Sequence, residues 1–209
     1  MTVDDSYMRL DLSDLGESYV KKSILNQLKE VDAAIFDCDG VLIDARKSYN
    51  MAIAKTVAYL IESLAGVSFP EDVISDRVII AFKRSGGFNS DWDVAYAILM
   101  LTLLRLPGRF RETVKRRVAF LQRFEDPLEA LRKMREDSAR KPVQEEINST
   151  FLKTLGDELM RFAEVLHEDG IDSVDRNIRS DPKVDRDALR LYEETRRFLR
   201  HPGGVGESV

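Results

Sequence analysis

The sequence is poor in cysteine and histidine. Its 209 residues include one cysteine, Cys38, and two histidines, His167 and His201. A single cysteine excludes a disulfide within the chain, and two isolated histidines lack the spacing of a zinc site. We therefore expect a globular protein of a reducing compartment, the cytoplasm, that is stabilised by its hydrophobic core.

Long apolar runs and an excess of positive charge are also lacking. The most apolar stretch, 95–106, is shorter than the ~20 residues that span a bilayer, and residues 1–20 do not have the pattern of a signal peptide. Lysine and arginine total 32 against 37 acidic residues, which gives a formal charge of −5. These features predict neither a membrane protein nor a nucleic-acid-binding protein.

Helical periodicity dominates the sequence after residue 47. Apolar residues recur every three or four positions from Ser48 until Gly66, which predicts one amphipathic helix. The run 78–82 fits a strand or a helix, and we favour the helix; 171–182 is polar and turn-like. The other predicted helices cover 15–30, 90–106, 110–124, 127–136, 142–169 and 184–200, and 201–209 is expected to be a flexible tail.

The only predicted strand is short and ends in acidic residues. Ala33 to Phe36 form a compact apolar run, followed by the sequence Asp-Cys-Asp-Gly-Val-Leu-Ile-Asp from Asp37 to Asp44. Residues two apart on an extended chain project to the same side, so Asp37 and Asp39 are expected to face the space beyond the strand. In open α/β folds, ligands bind at that edge of the sheet.

This segment resembles the first motif of the haloacid dehalogenase superfamily. The resemblance implies an α/β fold with a Rossmann-like core and an inserted α-helical cap. It also implies that Asp37 is the nucleophile, that Asp39 is the general acid and base, and that Mg²⁺ is held by the Asp37 carboxylate and the Asp39 backbone carbonyl. Gly40 would allow the backbone to approach the substrate, a small phosphorylated metabolite.

Two other interpretations of this segment are open. The acids could simply end a strand with a solvated turn. Alternatively, Cys38 could be a thiolate nucleophile, but it has no histidine nearby in the sequence, and two neighbouring carboxylates would repel a thiolate. We favour the catalytic pair of aspartates, because the apolar run, both acids and the glycine occur together.

A second candidate segment lies in the region that resembles the cap. It combines two cations, Lys83 and Arg84, with a double glycine, Gly86 and Gly87, and with Asn89 near the start of a helix. The cations and free backbone N–H groups could bind the substrate anion. Solvated cations beside a turn explain the pattern equally well.

Several parts of the superfamily's catalytic set are not recognisable in the sequence. These are a serine or threonine after a second strand, a lysine or arginine for the phosphoryl oxygens, and a later acidic pair. Four acids follow the predicted long helix, but no apolar strand precedes them: Asp172, Asp175, Asp181 and Asp185. The core is therefore expected to be incomplete without further chain or a second polypeptide.

The expected organisation has four parts: an N-terminal extension (1–30), the first strand and catalytic loop (31–47), the helical cap with connecting helices (48–200), and a tail (201–209). Two functions are compatible with it. The chain is either part of a Mg²⁺-dependent phosphohydrolase, or a non-enzymatic helical subunit or regulatory module that retains the motif as a relic.

Overall fold

The computed structural model describes residues 5–88, 90–124, 126–139 and 146–200. The chain divides into two compact units, Met1–Ala45 and Arg46–Val209. We call them the N-terminal unit and the helical unit. The sequence predicts the start of the helical part at residue 48, which lies in the first turn of the first long helix.

The N-terminal unit contains a β-hairpin. Strands β1 (Tyr7–Asp11) and β2 (Glu17–Lys21) pair antiparallel, with Met8 opposite Val20 and Arg9 opposite Tyr19. The predicted helix over 15–30 is therefore wrong at β2, and the helical part is shorter than expected: a 3₁₀ turn, Lys22–Ile24, followed by the single turn α1 (Leu25–Leu28). Tyrosine and valine favour extended chain, and pairing with β1 decides the structure of β2.

The predicted strand at 33–36 does not form in the structure. Residues 31–37 have no regular secondary structure, neither strand nor helix. A strand needs a neighbour to receive its N–H and C=O hydrogen bonds, and the hairpin strands β1 and β2 pair only with each other. The side chains of this stretch are exposed, and Ile35 is fully so at 102%.

The helical unit contains eight α-helices within its described residues. They are α2 (Arg46–Ala65), α3 (Asp76–Arg84), α4 (Asp91–Arg105), α5 (Gly108–Leu121), α6 (Pro127–Ala139), α7 (Ser149–Glu164), α8 (Ile171–Ser180) and α9 (Arg186–Arg200). The predominance of helix expected from the sequence is confirmed. The only sheet in the described ranges is the hairpin, so a Rossmann-like core is not shown.

Helix α4 lies at the centre of the hydrophobic core. Every side chain from Val94 to Leu104 is buried, and the helix contacts α2, α7, α8 and α9. Serine 90 caps its first turn, with the Ser90 Oγ accepting a hydrogen bond from the Trp92 N–H at 3.2 Å. This apolar run is thus a buried helix, and none of the helices in the described residues is long and apolar enough to cross a bilayer.

Most of the helix boundaries follow the sequence signals. Gly66, at φ +72°, follows the end of α2, and the Asn148 side chain caps α7 through the Phe151 N–H. The ambiguous run 78–82 is helical, as favoured. The turn-like interpretation of 171–182 is wrong, because 171–180 form α8. This helix buries few residues and its exposed side is polar, so its sequence does not have a clear apolar pattern.

Candidate functional site

The acidic loop of the N-terminal unit is tightly hydrogen-bonded. The Cys38 carbonyl accepts the N–H groups of both Leu42 and Ile43, at 3.0 and 2.9 Å, and the Gly40 N–H donates to the Ile43 carbonyl at 2.8 Å. The acidic loop, residues 37–43, therefore contains a compact turn, 38–43, with a defined backbone.

Gly40 is required by the backbone of this turn. Its φ of +79° lies in the left-handed region, which favours glycine, and no atom lies within 4 Å of the position that a Cβ would occupy. There is thus open space beside the backbone of the loop.

Asp37, Asp39 and Gly40 all belong to this loop. The Asp37 Oδ1 accepts a hydrogen bond from the Cys38 N–H at 2.8 Å. The backbone of Asp39 forms an isolated β-bridge with that of Ile43. All three residues are exposed, as is the Cys38 side chain. The loop therefore presents its carboxylates to solvent.

The donor chemistry of the loop fits a magnesium ion in part. Mg²⁺ prefers oxygen ligands, keeps several waters, and is commonly bound by one or two carboxylates together with substrate phosphate. The two aspartates of the loop match that requirement. No cluster of three or more acidic, histidine or cysteine side chains occurs among the residues that the structure describes, so any third protein carboxylate would have to come from elsewhere.

The second candidate segment lies in the helical unit. Lys83, in the last turn of α3, forms an ion pair with Asp91 at the start of α4, with 2.7 Å between Nζ and Oδ1. Arg84 is exposed and forms no ion pair within the described residues. Asn89 lies outside the described residues. Asp91 therefore neutralises Lys83, whereas no acid in the described residues neutralises Arg84.

The double glycine of this segment has a packing role. Gly87 has φ +72°, and a Cβ built there would lie 2.3 Å from the Glu168 carbonyl oxygen and 2.4 Å from the Gly170 nitrogen. Gly170 in turn, at φ +55°, would place a Cβ 2.5 Å from the Gly87 carbonyl oxygen. The loop at Gly87 and the loop 168–170 are thus in backbone contact. This contact supports the turn interpretation for Gly87.

The acids after the long helix have structural partners. Asp175 is held by Arg196 at 2.7 Å and accepts the Tyr192 hydroxyl. Asp181 pairs with Arg105, and Asp185 caps α9 through the Ala188 N–H at 2.7 Å. Asp172 lies in the first turn of α8, where a negative charge suits the helix dipole.

Sequence reasoning missed the charged cluster around Arg105. This arginine lies in the last turn of α4, is only 14% exposed, and pairs with Glu158 of α7 at 2.7 Å and with Asp181. The available signal was a cation at the end of an otherwise apolar run, since buried arginines are nearly always paired. Its partners, 53 and 76 residues away, could not be identified from the sequence.

Comparison with protein-family models, with curated proteins and with solved structures finds no match to this chain.

Proposed function

We propose that this chain supplies the first motif and the helical cap of a Mg²⁺-dependent phosphohydrolase of the haloacid dehalogenase type, acting on a small phosphate monoester. The acidic loop carries the proposal. Two aspartates follow an apolar stretch and stand on a compact turn around a left-handed glycine, Gly40, with open space beside its backbone. The helical unit follows this loop directly, in the order expected of an inserted cap.

The proposed reaction has two steps. A carboxylate oxygen of Asp37 forms a bond to phosphorus while the ester P–O bond breaks, and Asp39 donates a proton to the departing alcohol. Asp39 then takes a proton from water, whose oxygen attacks phosphorus and releases phosphate and the free Asp37 carboxylate. A magnesium ion, held by the Asp37 carboxylate and the Asp39 backbone carbonyl, would neutralise charge on the phosphoryl group.

The proposed enzyme needs a completed sheet. The apolar run 33–36 is exposed and has no regular secondary structure, and a strand there would require partners on its edges. A second polypeptide or a longer form of this chain would supply those strands, together with the groups that bind the phosphoryl oxygens. Covering Ile35 and Phe36 would then bury apolar surface that is now in water.

A phosphate mimic tests this proposal directly. Beryllium fluoride with Mg²⁺ should form an adduct on Asp37, detected by ¹⁹F NMR in the chain, alone or with its completing polypeptide. The adduct should be lost in Asp37→Asn and retained in Asp32→Asn, which removes an exposed acid outside the motif. Turnover of a phosphate monoester should require Mg²⁺ and follow the same pattern. An adduct that survives Asp37→Asn, or forms in neither protein, contradicts the proposal.

A non-enzymatic helical subunit or regulatory module is the second candidate function. The observation that favours it is that all buried apolar residues of the described chain belong to the helical unit, whose core is continuous from Ile53 to Leu199. A module that acts by binding through this unit would tolerate Asp37→Asn without loss of function. Absence of Mg²⁺-dependent beryllium fluoride binding under all conditions would support this alternative.

A further inference from the structure

A cleft of about 210 Å³ lies on the helical unit, away from the acidic loop in sequence. One wall is the C-terminal half of α7, and the other is the link between α8 and α9. Its apolar surface comes from Phe162 and from Val165, which is 47% exposed. Five charged side chains complete the lining: Arg105, Glu158, Arg161, Asp181 and Lys183.

Each carboxylate oxygen of this cleft already accepts a hydrogen bond from a cation or a backbone N–H group. The two Glu158 oxygens accept hydrogen bonds from Arg105 Nε at 2.7 Å and from Lys183 Nζ at 2.6 Å. The two Asp181 oxygens accept from Arg105 Nη2 and from the Lys183 backbone N–H. Arg105 and Lys183 already lie beside these carboxylates and would repel a further cation, which makes the cleft a poor site for a metal ion or an amine.

Both carboxylates are also held in their charged form. Burial alone would raise the pKa of Glu158, but hydrogen bonds from Lys183 and Arg105 hold that pKa below its ordinary value. The pKa of Asp181 is likewise lowered against the effect of burial, by hydrogen bonds from the Lys183 backbone and from Arg105. At neutral pH neither acid offers a proton to a ligand.

The spare hydrogen-bonding capacity of the lining is on nitrogen. Arginine carries five N–H donors and lysine three, whereas a charged carboxylate only accepts. Arg161 donates from Nε to the Asp157 carbonyl at 3.3 Å and has no acidic partner in the described ranges. With three cations against two acids, the cleft has an excess of donors and of positive charge.

We propose that this cleft binds a small organic anion with one carboxylate or phosphate group and a short apolar body. The planar guanidinium of Arg161 suits two-point binding of either group, and Lys183 can add a second charge. The body would pack on Phe162 and Val165. A volume of about 210 Å³ fits a small metabolite and is below the range of ~300–1,000 Å³ that holds drug-sized ligands.

The proposal can be tested by NMR titration of the full chain with four probes: phenyl phosphate, benzoate, inorganic phosphate and benzyl alcohol. Saturable shifts of the Val165 methyl groups and the Arg161 guanidinium are expected with phenyl phosphate, benzoate or both, and the stronger probe identifies the preferred head group. Inorganic phosphate and benzyl alcohol should bind at least tenfold more weakly, because each lacks one half of the ligand.

Two variants and two controls decide whether this cleft is responsible. Arg161→Gln should weaken binding at least tenfold, and Val165→Glu, at a half-exposed position, should abolish it by placing an acid in the cleft. Arg190→Gln and Lys133→Gln, which remove exposed cations of α9 and α6, should leave binding unchanged. Binding that persists in both cleft variants, equal binding of benzyl alcohol, or no shift with any probe would overturn the proposal.

Discussion

Gly87 shows most directly how one residue is fixed by its backbone surroundings. Alanine at this position would combine left-handed φ strain with contacts of 2.3 and 2.4 Å to backbone atoms of the loop 168–170, which cannot rotate away. We expect Gly87→Ala to lower the free energy of unfolding of the helical unit by about 2–4 kcal/mol, since left-handed strain alone costs ~1–2 kcal/mol. Urea denaturation followed by circular dichroism measures this difference.

Two glycines serve as controls for this substitution. Gly86 has φ +89°, but a Cβ there would come no closer than 3.2 Å, to the flexible Glu168 side chain, so Gly86→Ala should cost less than Gly87→Ala. Gly156 lies within α7 with open space around it, and Gly156→Ala should stabilise by about 0.5–1 kcal/mol. Equal losses at 86 and 87 would show that backbone contact with the second loop is unimportant.

Tyr192 places a hydrogen-bonded hydroxyl group in the core of the helical unit. Its hydroxyl donates to Asp175, which is 12% exposed and also held by Arg196. Tyr192→Phe should destabilise the helical unit by about 1–3 kcal/mol, because a buried acceptor loses a partner. Tyr59→Phe, which changes a partly exposed ring near Arg135, should change stability by less than about 0.5 kcal/mol. Similar losses of stability in both variants would argue against a stabilising role for the hydrogen bond between Tyr192 and Asp175.

Because of the Tyr192 hydroxyl, the stability of the helical unit should depend on pH in the alkaline range. Burial, together with the neighbouring Tyr96 and Asp175, raises the pKa of Tyr192 far above its ordinary value of about 10. An unfolded chain loses this proton above pH ~10 while the folded chain keeps it, so the contribution is complete below that pH and is lost above it. The stability difference between wild type and Tyr192→Phe should therefore shrink from pH 10 upward in urea titrations.

Arg105 connects helix α4 to helix α7 and to the link between α8 and α9. Its partners Glu158 and Asp181 are 15% and 17% exposed. Arg105→Met should cost about 2–3 kcal/mol, less than the ~3–5 kcal/mol of a fully buried pair, because Lys183 still neutralises Glu158. Arg190→Met, which breaks a pair at 75% exposure within α9, should cost less than about 0.5 kcal/mol.

Acid should remove the effect of Arg105. The pKa values of Glu158 and Asp181 are held below their ordinary values, so the pair's contribution is complete above about pH 4 and is lost as the pH falls through the folded-state pKa values. The difference between wild type and Arg105→Met, measured by urea denaturation, should be smaller at pH 3 than at pH 7. A difference that does not change with pH would mean that Arg105 acts through packing alone.

The helices could be predicted from the sequence where the apolar pattern was long. Helices α2 and α4 have many apolar residues with clear caps and breakers, and their lengths leave one interpretation. Helix α8 was missed because its inward residues include Ser173 and Asp175, whose burial depends on distant partners. The hairpin was missed because Val20, Ile24 and Leu28 fit a helical face, and strand pairing is not visible in a local pattern.

The candidate site could be predicted only in part, for a similar reason. The tight turn at Gly40 follows from residues within one loop, and these are adjacent in the sequence. The expected strand before it depends on neighbouring strands, so the apolar run 33–36 could not determine its own structure. The contact between Gly87 and Gly170 joins loops far apart in the chain, and no local signal marks it.

The whole molecule has its hydrophobic core in one unit. Within the described residues, all buried apolar side chains belong to the helical unit, and no side chain of the N-terminal unit is buried. A two-stranded hairpin without a buried face is marginally stable in water. We therefore expect amides of the hairpin and of 31–44 to exchange with solvent far faster than those of α2 and α4, as hydrogen-exchange mass spectrometry would show.

Two substitutions make this asymmetry a quantitative prediction. Ile35 is fully exposed and Ile61 is fully buried. Ile35→Asp should leave the unfolding free energy of the helical unit unchanged within about 0.5 kcal/mol, whereas Ile61→Asp buries an unpaired charge and should cost more than about 4 kcal/mol. If Ile35→Asp destabilised the helices as Ile61→Asp does, the chain would unfold as one cooperative body. If only Ile61→Asp does, the segment 31–37 contributes no stability to the helical unit, as the proposed pairing of this segment with further strands requires.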